Sequence, residues 1–157
     1  MSEKIKIRCA KSDDVDLLYR WTNDEQVRIQ SFTSDSISYE SHCVWFLRKL
    51  SDESTVIFIV EVDSVPASVV RFEIENNSSI IGISIDEKFR GKGLGSVVIS
   101  KGIQEYFKMN DLPILAYIKK DNTASIRAFE KSGFKCFNLT DINGVESVVY
   151  KLKKCDQ

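Results

Sequence analysis

A chain of 157 residues, with 22 Lys+Arg against 23 Asp+Glu and a net charge of -1, is long enough to bury one core without staples. It is too evenly charged to point to a nucleic-acid or anionic-membrane partner, and its 43% hydrophobic and 29% charged residues are those of an ordinary globular domain. Cys9, Cys43, Cys136 and Cys155 are scattered with no C-x-x-C pair, a spacing that suits neither a zinc site nor a disulfide framework.

The stretch Met1-Ser2-Glu3-Lys4-Ile5-Lys6 alternates charged and apolar residues and lacks a signal-peptide core. The longest aliphatic/aromatic run, Val56-Ile57-Phe58-Ile59-Val60, is far short of the ~20 residues of a membrane helix. The expectation is one cytoplasmic domain over residues 1–157, with reduced thiols, no metal and no membrane.

Ile5 to Cys9 alternates and reads as a first strand. Ser12 is the expected N-cap of a helix reaching Trp21, with Asp13, Asp14 and Asp16 near its positive end. Asn23-Asp24 interrupts it. Ser38 should cap a second helix running to Leu50, whose Tyr39, Cys43, Phe46, Leu47 and Leu50 form one helical stripe. Strands follow over Thr55 to Val62, Ala67 to Ile74 and Ser79 to Ile85; short joins at Asp63-Ser64 and Asn76-Asn77 predict an antiparallel meander. Helix and strand then alternate: Leu94 to Phe107 a helix, Pro113 to Ile118 a strand, Thr123 to Ser132 a helix stopped by Gly133. Phe134 to Leu139 and Glu146 to Leu152 close as a hairpin around Asn143-Gly144. The order β-α-α-β-β-β-α-β-α-β-β is that of an α+β sheet.

Between the fourth strand and the next helix lies Arg90-Gly91-Lys92-Gly93-Leu94-Gly95. Glycines at alternate positions let backbone approach a ligand closely. The helix that opens there points unpaired N–H groups and a positive dipole end at the loop, which suits a pyrophosphate; Arg90 and Lys92 add cations. The spacing fits neither the P-loop nor the dinucleotide fingerprint. By itself it is also compatible with a turn that merely joins strand to helix.

A second segment, Asn122-Thr123-Ala124-Ser125-Ile126-Arg127-Ala128-Phe129-Glu130-Lys131-Ser132-Gly133-Phe134, covers the following helix. Together the two segments resemble the GNAT N-acetyltransferase superfamily. There R/Q-x-x-G-x-G/A binds the coenzyme A pyrophosphate and N-x-x-S/A-x-x-x-Y/F-x-x-x-G-F lines the pantetheine arm. Arg90, Gly93 and Gly95 match the first motif; Asn122, Ser125, Phe129, Gly133 and Phe134 match the second. Asn122 also suits a helix N-cap. The resemblance implies acetyl-CoA as acyl donor and a mixed seven-stranded sheet splayed between its fourth and fifth strands. It also implies that Ile83 and Ile85 offer main-chain partners to the pantetheine, the Ile83 amide serving as oxyanion donor. One departure stands out: many relatives carry Tyr where this chain has Phe129, which has no hydroxyl to protonate the leaving thiolate. A thiol pKa near ~8.5 makes that group a tolerable leaving group unassisted.

Trp21-Thr22-Asn23, Val27-Arg28, Ile37-Ser38, His42 and Trp45-Phe46 are similar to a pattern in N-acetyltransferases acting on UDP-4-amino sugars in pseudaminic acid biosynthesis. On that likeness Trp21, Asn23, Arg28, His42 and Trp45 are the candidate acceptor-binding residues, an indole stacking on base or sugar and Arg28 meeting a phosphate. Each has a plainer alternative: Trp21 and Trp45 as core, His42 as a surface or capping residue. Glu73 is the candidate base, directly or through water, against the alternative of a solvent-facing strand carboxylate. Ser84 is a further candidate contact to the amine.

Three functions stay open. One is acetylation of a small amine, a nucleotide-linked amino sugar foremost; another is acetylation of a protein amine such as a ribosomal-protein N-terminus. The third is a non-catalytic acyl-CoA-binding module. The expected partner is a small-molecule amine, with a homodimer left open.

Overall fold

The computed structural model describes residues 3–33 and 35–156; Met1 and Ser2, part of the alternating N-terminal stretch, lie outside the described residues. β1 (Ile5–Cys9) pairs antiparallel with β2 (Thr55–Val62), Ile5 opposite Val62 and Cys9 opposite Phe58. β2, β3 (Val65–Glu75) and β4 (Ser78–Ile85) form the meander. Its turns hold Asp63 and Ser64 at φ 49° and 68°, and Asn76 and Asn77 at 51° and 63°, the two-residue geometry whose twist matches paired strands. β5 (Ile114–Lys119) pairs antiparallel with β7 (Val145–Leu152), which pairs with β6 (Lys135–Ile142). The result is the mixed seven-stranded sheet expected, in the order β1-β2-β3-β4-β5-β7-β6.

The meeting of β4 and β5 sets up everything that follows. They pair in parallel at Ser79↔Ile114 and Ile80↔Leu115, and no further pair follows toward Ile85. The sheet is therefore open along the second half of β4.

Strand alternation divides the core between two faces. Phe58 and Val60 of β2, Val70 and Phe72 of β3 and Ile81 of β4 face α4 (Leu94–Tyr106) and α5 (Thr123–Lys131). There Phe72 stacks on Tyr106 with ring centroids 4.2 Å apart. A Cβ on Gly102 would stand 2.8 Å from Val70 Cγ1, so only glycine lets α4 lie this close to β3. On the opposite face Ile57 and Ile59 pack against Leu18 and Trp21 of α1 (Val15–Thr22) and Phe46 of α3 (Tyr39–Leu50). Each fully buried large side chain contributes about 1.5–3 kcal/mol relative to exposure.

Three local expectations are corrected. Ser12 lies inside a 3-10 turn, Ser12–Asp14, and α1 begins only at Val15; Asp14, paired bidentately with Arg8, holds that turn. An additional helix, α2 (Glu25–Gln30), follows the Asn23-Asp24 break because the Asp24 side chain accepts from Gln26 N and Val27 N; six residues are too few to show a period. The buried face of α3 is also rotated from the predicted stripe. His42 and Phe46 are buried while Tyr39 and Leu47 are exposed, because the packing surface offered by Leu18, Trp21 and Ile59 selects the face with the largest rings.

Candidate active site

The open edge of β4 has a direction. Ser79 N donates to Pro113 O at 2.8 Å and Asp86 N to Ala67 O at 2.8 Å. Odd-numbered amides of β4 therefore face β5, and even-numbered ones face β3. The Ile83 and Ile85 amides project into the opening, where β5 has already diverged. An unpaired strand edge of this kind is a template for an added strand-like ligand.

At the end of β4 the chain is anchored before it reaches the glycines. Asp86, 5% exposed, accepts from Lys88 N (2.9 Å), Trp21 Nε1 (2.7 Å) and Arg20 (3.1 Å). Burial pushes its carboxyl up, but these donors outweigh burial and hold it below the ordinary aspartate value. Arg90 donates through Nε to the Ile85 carbonyl (3.0 Å) and through Nη2 to Asp24 Oδ1 (2.7 Å). Gly91 and Gly93 follow at φ +73° and +72°, and a Cβ at either would meet nothing within 4 Å. These two glycines serve left-handed backbone beneath open space. Gly95 serves packing: its Cβ would lie 3.3 Å from Ala128 Cβ, so α4 and α5 nearly touch there. Leu94 is buried and seats the first turn of α4, while Gly91, Lys92 and Gly93 are exposed.

On α5, Asn122 caps the helix by accepting from Ser125 N at 3.2 Å. Ser125 stays half-buried. Phe129 is 4% exposed and meets Phe134 edge-on, centroids 5.0 Å apart. The loop of residues 90–95, the free amides of Ile83 and Ile85, and the start of α5 thus border one opening. Its left-handed glycines and outward-facing amides fit a pyrophosphate followed by an extended amide-bearing arm.

The acceptor-side candidates are placed less uniformly. Trp21 is 3% exposed and His42 1%; the Trp21 indole is committed to Asp86, and His42 Nε2 donates to the Val15 carbonyl at 3.0 Å. Both are buried where α1 and α3 pack on the sheet, with the N–H of each ring satisfied. Asn23 clamps Ile37 through both main-chain groups at 2.8 Å. Arg28 donates to the carbonyls of Thr22, Thr33 and Asp35 and to Ser31 Oγ, which commits four of its five N–H donors to the fold. These four residues spend most of their polar groups on the fold.

Trp45 is different: it is half-buried and borders a shallow hollow with Glu40, Ser41, Val44 and Arg48. Arg71 of β3 lies against its ring, 5.2 Å from the centroid. Glu73 is held by Arg71 Nε at 3.0 Å and Lys49 at 3.5 Å, so neither oxygen can take an amine proton without breaking an ion pair. Ser84, half-buried, stands opposite Val69 on this same face. Sequence reasoning missed Arg71, because one charged residue in a run of strand apolars has no motif; only the Arg71↔Gly82 register and the α3 contact reveal its place.

A family model described as an acetyltransferase (GNAT) domain matches residues 4–135. A mycothiol acetyltransferase of Corynebacterium efficiens is 26% identical over 115 residues, 73% of this chain and 33% of the relative; the chain thus spans about a third of that protein's length. Among solved structures, spermidine N-acetyltransferase from Vibrio cholerae, in complex with CoA and spermine, superimposes with TM-score 0.87 at 18% identity, over 97% of this chain and 96% of that one. An aminoglycoside acetyltransferase in complex with coenzyme A and kanamycin gives TM-score 0.84 at 17% identity, over 98% and 96%. At such identities these likenesses bear on the fold.

Proposed function

The chain belongs to the acetyltransferase (GNAT) domain family, and from that premise we propose that it is an acetyl-CoA-dependent N-acetyltransferase acting on the primary amine of a small molecule. The observation that carries this reading is the open second half of β4, with the Ile83 and Ile85 amides turned into the opening beside left-handed Gly91 and Gly93. We assign the backbone of residues 91–95 to the pyrophosphate, with Arg90 and Lys92 at its edge. Asn122, Ser125 and Phe129 line the pantetheine side. Acetyl-CoA supplies an acyl thioester, whose carbonyl oxygen gathers negative charge as nitrogen attacks. We assign the Ile83 N–H as the donor to that charge; removing one such donor in other enzymes costs about 2.7–4 kcal/mol of barrier.

The C–N bond forms, the C–S bond breaks, and the proton lost by the amine ends on the departing thiolate. Phe129 has no proton to give, and Glu73 is held in two ion pairs; we therefore assign Glu73, as the candidate base, to act through a water and not directly. Ser84 is assigned to contact the amine. For the acceptor we put forward a nucleotide-linked amino sugar, supported by the accessible Trp45 indole; spermine and kanamycin, the ligands of the superimposed structures, are themselves amines.

The test is acetyl-CoA consumption against a UDP-4-amino sugar, polyamines and peptides, with acetyl-CoA binding followed by calorimetry. Turnover on a small amine is expected. Turnover on peptides alone would replace the small-molecule reading, and binding without any turnover would leave a non-catalytic acyl-CoA module.

A further inference from the structure

Strand register places Arg71 of β3 directly opposite Gly82 of β4, one residue before Ile83. Because Gly82 has no side chain, the Arg71 guanidinium lies over it: a Cβ there would be 3.5 Å from Nη2 and 3.9 Å from Cζ. Trp45 covers the guanidinium from α3, and Glu73 Oε1 forms an ion pair with Nε at 3.0 Å. This face of the sheet is the one that meets the N-terminal helices, as Lys49–Glu73 and the donation from Lys119 of β5 to the Ile29 carbonyl show.

Other arginines in the molecule show what a structural guanidinium looks like here. Arg8 spends its nitrogens on Asp14, Glu61 and the Cys9 carbonyl, and Arg28 spends its own on three carbonyls and a hydroxyl. Arg71 is oriented by an ion pair and a ring, yet its terminal nitrogens donate to no described residue and its side chain keeps 41% exposure. Arg71 and Lys49 together share the single carboxylate of Glu73, so the local charge is positive. A pre-oriented fork with free donors, lying over Gly82 beside Ile83 of β4, matches a pair of oxygens of a carboxylate or phosphate.

We propose that Arg71 anchors an anionic group on the acceptor, so that the preferred substrates are amines bearing a carboxylate or phosphate a few bonds from the nitrogen. This rests on the acetyltransferase reading above and narrows it. Trp45 and Glu73 orient the guanidinium, and Gly82 leaves the room in which it lies over β4 with its terminal nitrogens open to an anion. A polyamine would bring positive charge against Arg71 and Lys49 and is disfavoured.

The probes are glucosamine-6-phosphate and glutamate against their uncharged counterparts glucosamine and glutamine, with UDP-glucosamine and spermidine alongside. In the unaltered protein an anionic member should exceed its counterpart at least tenfold in kcat/KM; whether glutamate or glucosamine-6-phosphate leads tells carboxylate from phosphate. Arg71→Gln should shrink that ratio at least tenfold, and Arg71→Lys, a point charge without the fork, should restore part of it. Acetyl-CoA affinity by calorimetry reports that each variant is folded. Equal use of charged and uncharged partners, a preference for spermidine, or a ratio indifferent to Arg71→Gln would overturn the proposal while leaving acetyl transfer intact. If acetyl-CoA binds and no amine is consumed, the catalytic reading fails instead. Arg71 is then judged by calorimetry of glucosamine-6-phosphate and glutamate on coenzyme A-loaded protein: at least tenfold weakening in Arg71→Gln supports the anchor, and unchanged or absent binding overturns it.

Discussion

Arg90 and Asp24, 66 residues apart, form an ion pair of 2.7 Å that ties the glycine loop to the N-terminus of α2. Asp24 has two duties, since the same oxygen accepts from Gln26 N and Val27 N. Arg90 also has two claims on it, Asp24 now and the pyrophosphate in the proposed complex. Asp24→Asn separates these duties, because asparagine caps a helix about as well as aspartate but withdraws the charge. A partly exposed pair of this kind contributes about 1 kcal/mol or less, so stability should change little. Acetyl-CoA should bind several-fold tighter as Arg90 is released, measured by calorimetry. Weaker binding would show that the pair pre-positions Arg90 instead of competing for it.

The left-handed glycines allow a controlled test of the loop. Gly93 at φ +72° and Gly144 at φ +81°, in the β6–β7 turn, both have open space where a Cβ would go. Alanine at either position should cost about 1–2 kcal/mol of stability from the left-handed backbone. Only Gly93→Ala places a methyl where the pyrophosphate is proposed, so it should weaken acetyl-CoA binding at least tenfold while Gly144→Ala leaves it at the parental value. Equal affinities in the two variants would detach the loop from the cofactor.

These glycines also mark how far the sequence could be read. The loop, the turns at Asp63-Ser64, Asn76-Asn77 and Asn143-Gly144, and the cap at Asn122 are local, and residue type alone dictates them. The wall of the acceptor side is not local. Arg28, a candidate phosphate ligand, gives most of its donors to the surrounding loop, while Arg71, which carries no motif, lies against Trp45. Both outcomes depend on contacts between segments that no short spacing encodes. The α3 face shows the same: several rotations of that helix bury an apolar stripe, and the opposing rings of Leu18's cluster decide among them.

His42 supplies a pH signature. Burial lowers its pKa below 6.5, opposed by its hydrogen bond to Val15 and by Asp16. In the interval from 6.5 down to that lowered value the unfolded chain binds a proton that the folded chain does not. Stability is therefore full above about 6.5 and falls as pH falls through the folded value. The lowered carboxyls of Asp14 and Asp86 start from 3.8 and lose their contribution at more acid pH. Denaturant unfolding of the parent should become easier as pH falls below about 6.5. His42→Gln, which keeps a donor for the Val15 carbonyl but does not titrate, should flatten that slope. An unchanged slope would mean another group titrates there.

Trp45 joins the fold to the chemistry proposed for Arg71. Its ring lies 5.2 Å from the Arg71 guanidinium and 6.0 Å from the His42 ring, so truncation removes both a cation–π contact and packing beside the α1–α3 core. Full loss of a buried aromatic costs about 3–5 kcal/mol, and Trp45, half-buried, should cost less. Trp45→Phe keeps most of the packing and offers a weaker face to the cation; contacts of this type are worth about 0.5–2 kcal/mol, or roughly twofold to thirtyfold in affinity. With the indole gone, Arg71 samples more rotamers and must be ordered again when the acceptor binds. The acceptor KM should therefore rise in the order parent, Trp45→Phe, Trp45→Ala. The KM for acetyl-CoA should stay within about threefold, because Trp45 stands on the face away from α4 and α5. A stable Trp45→Phe protein with parental acceptor KM would show that the ring only packs, and that Glu73 alone is enough to aim Arg71.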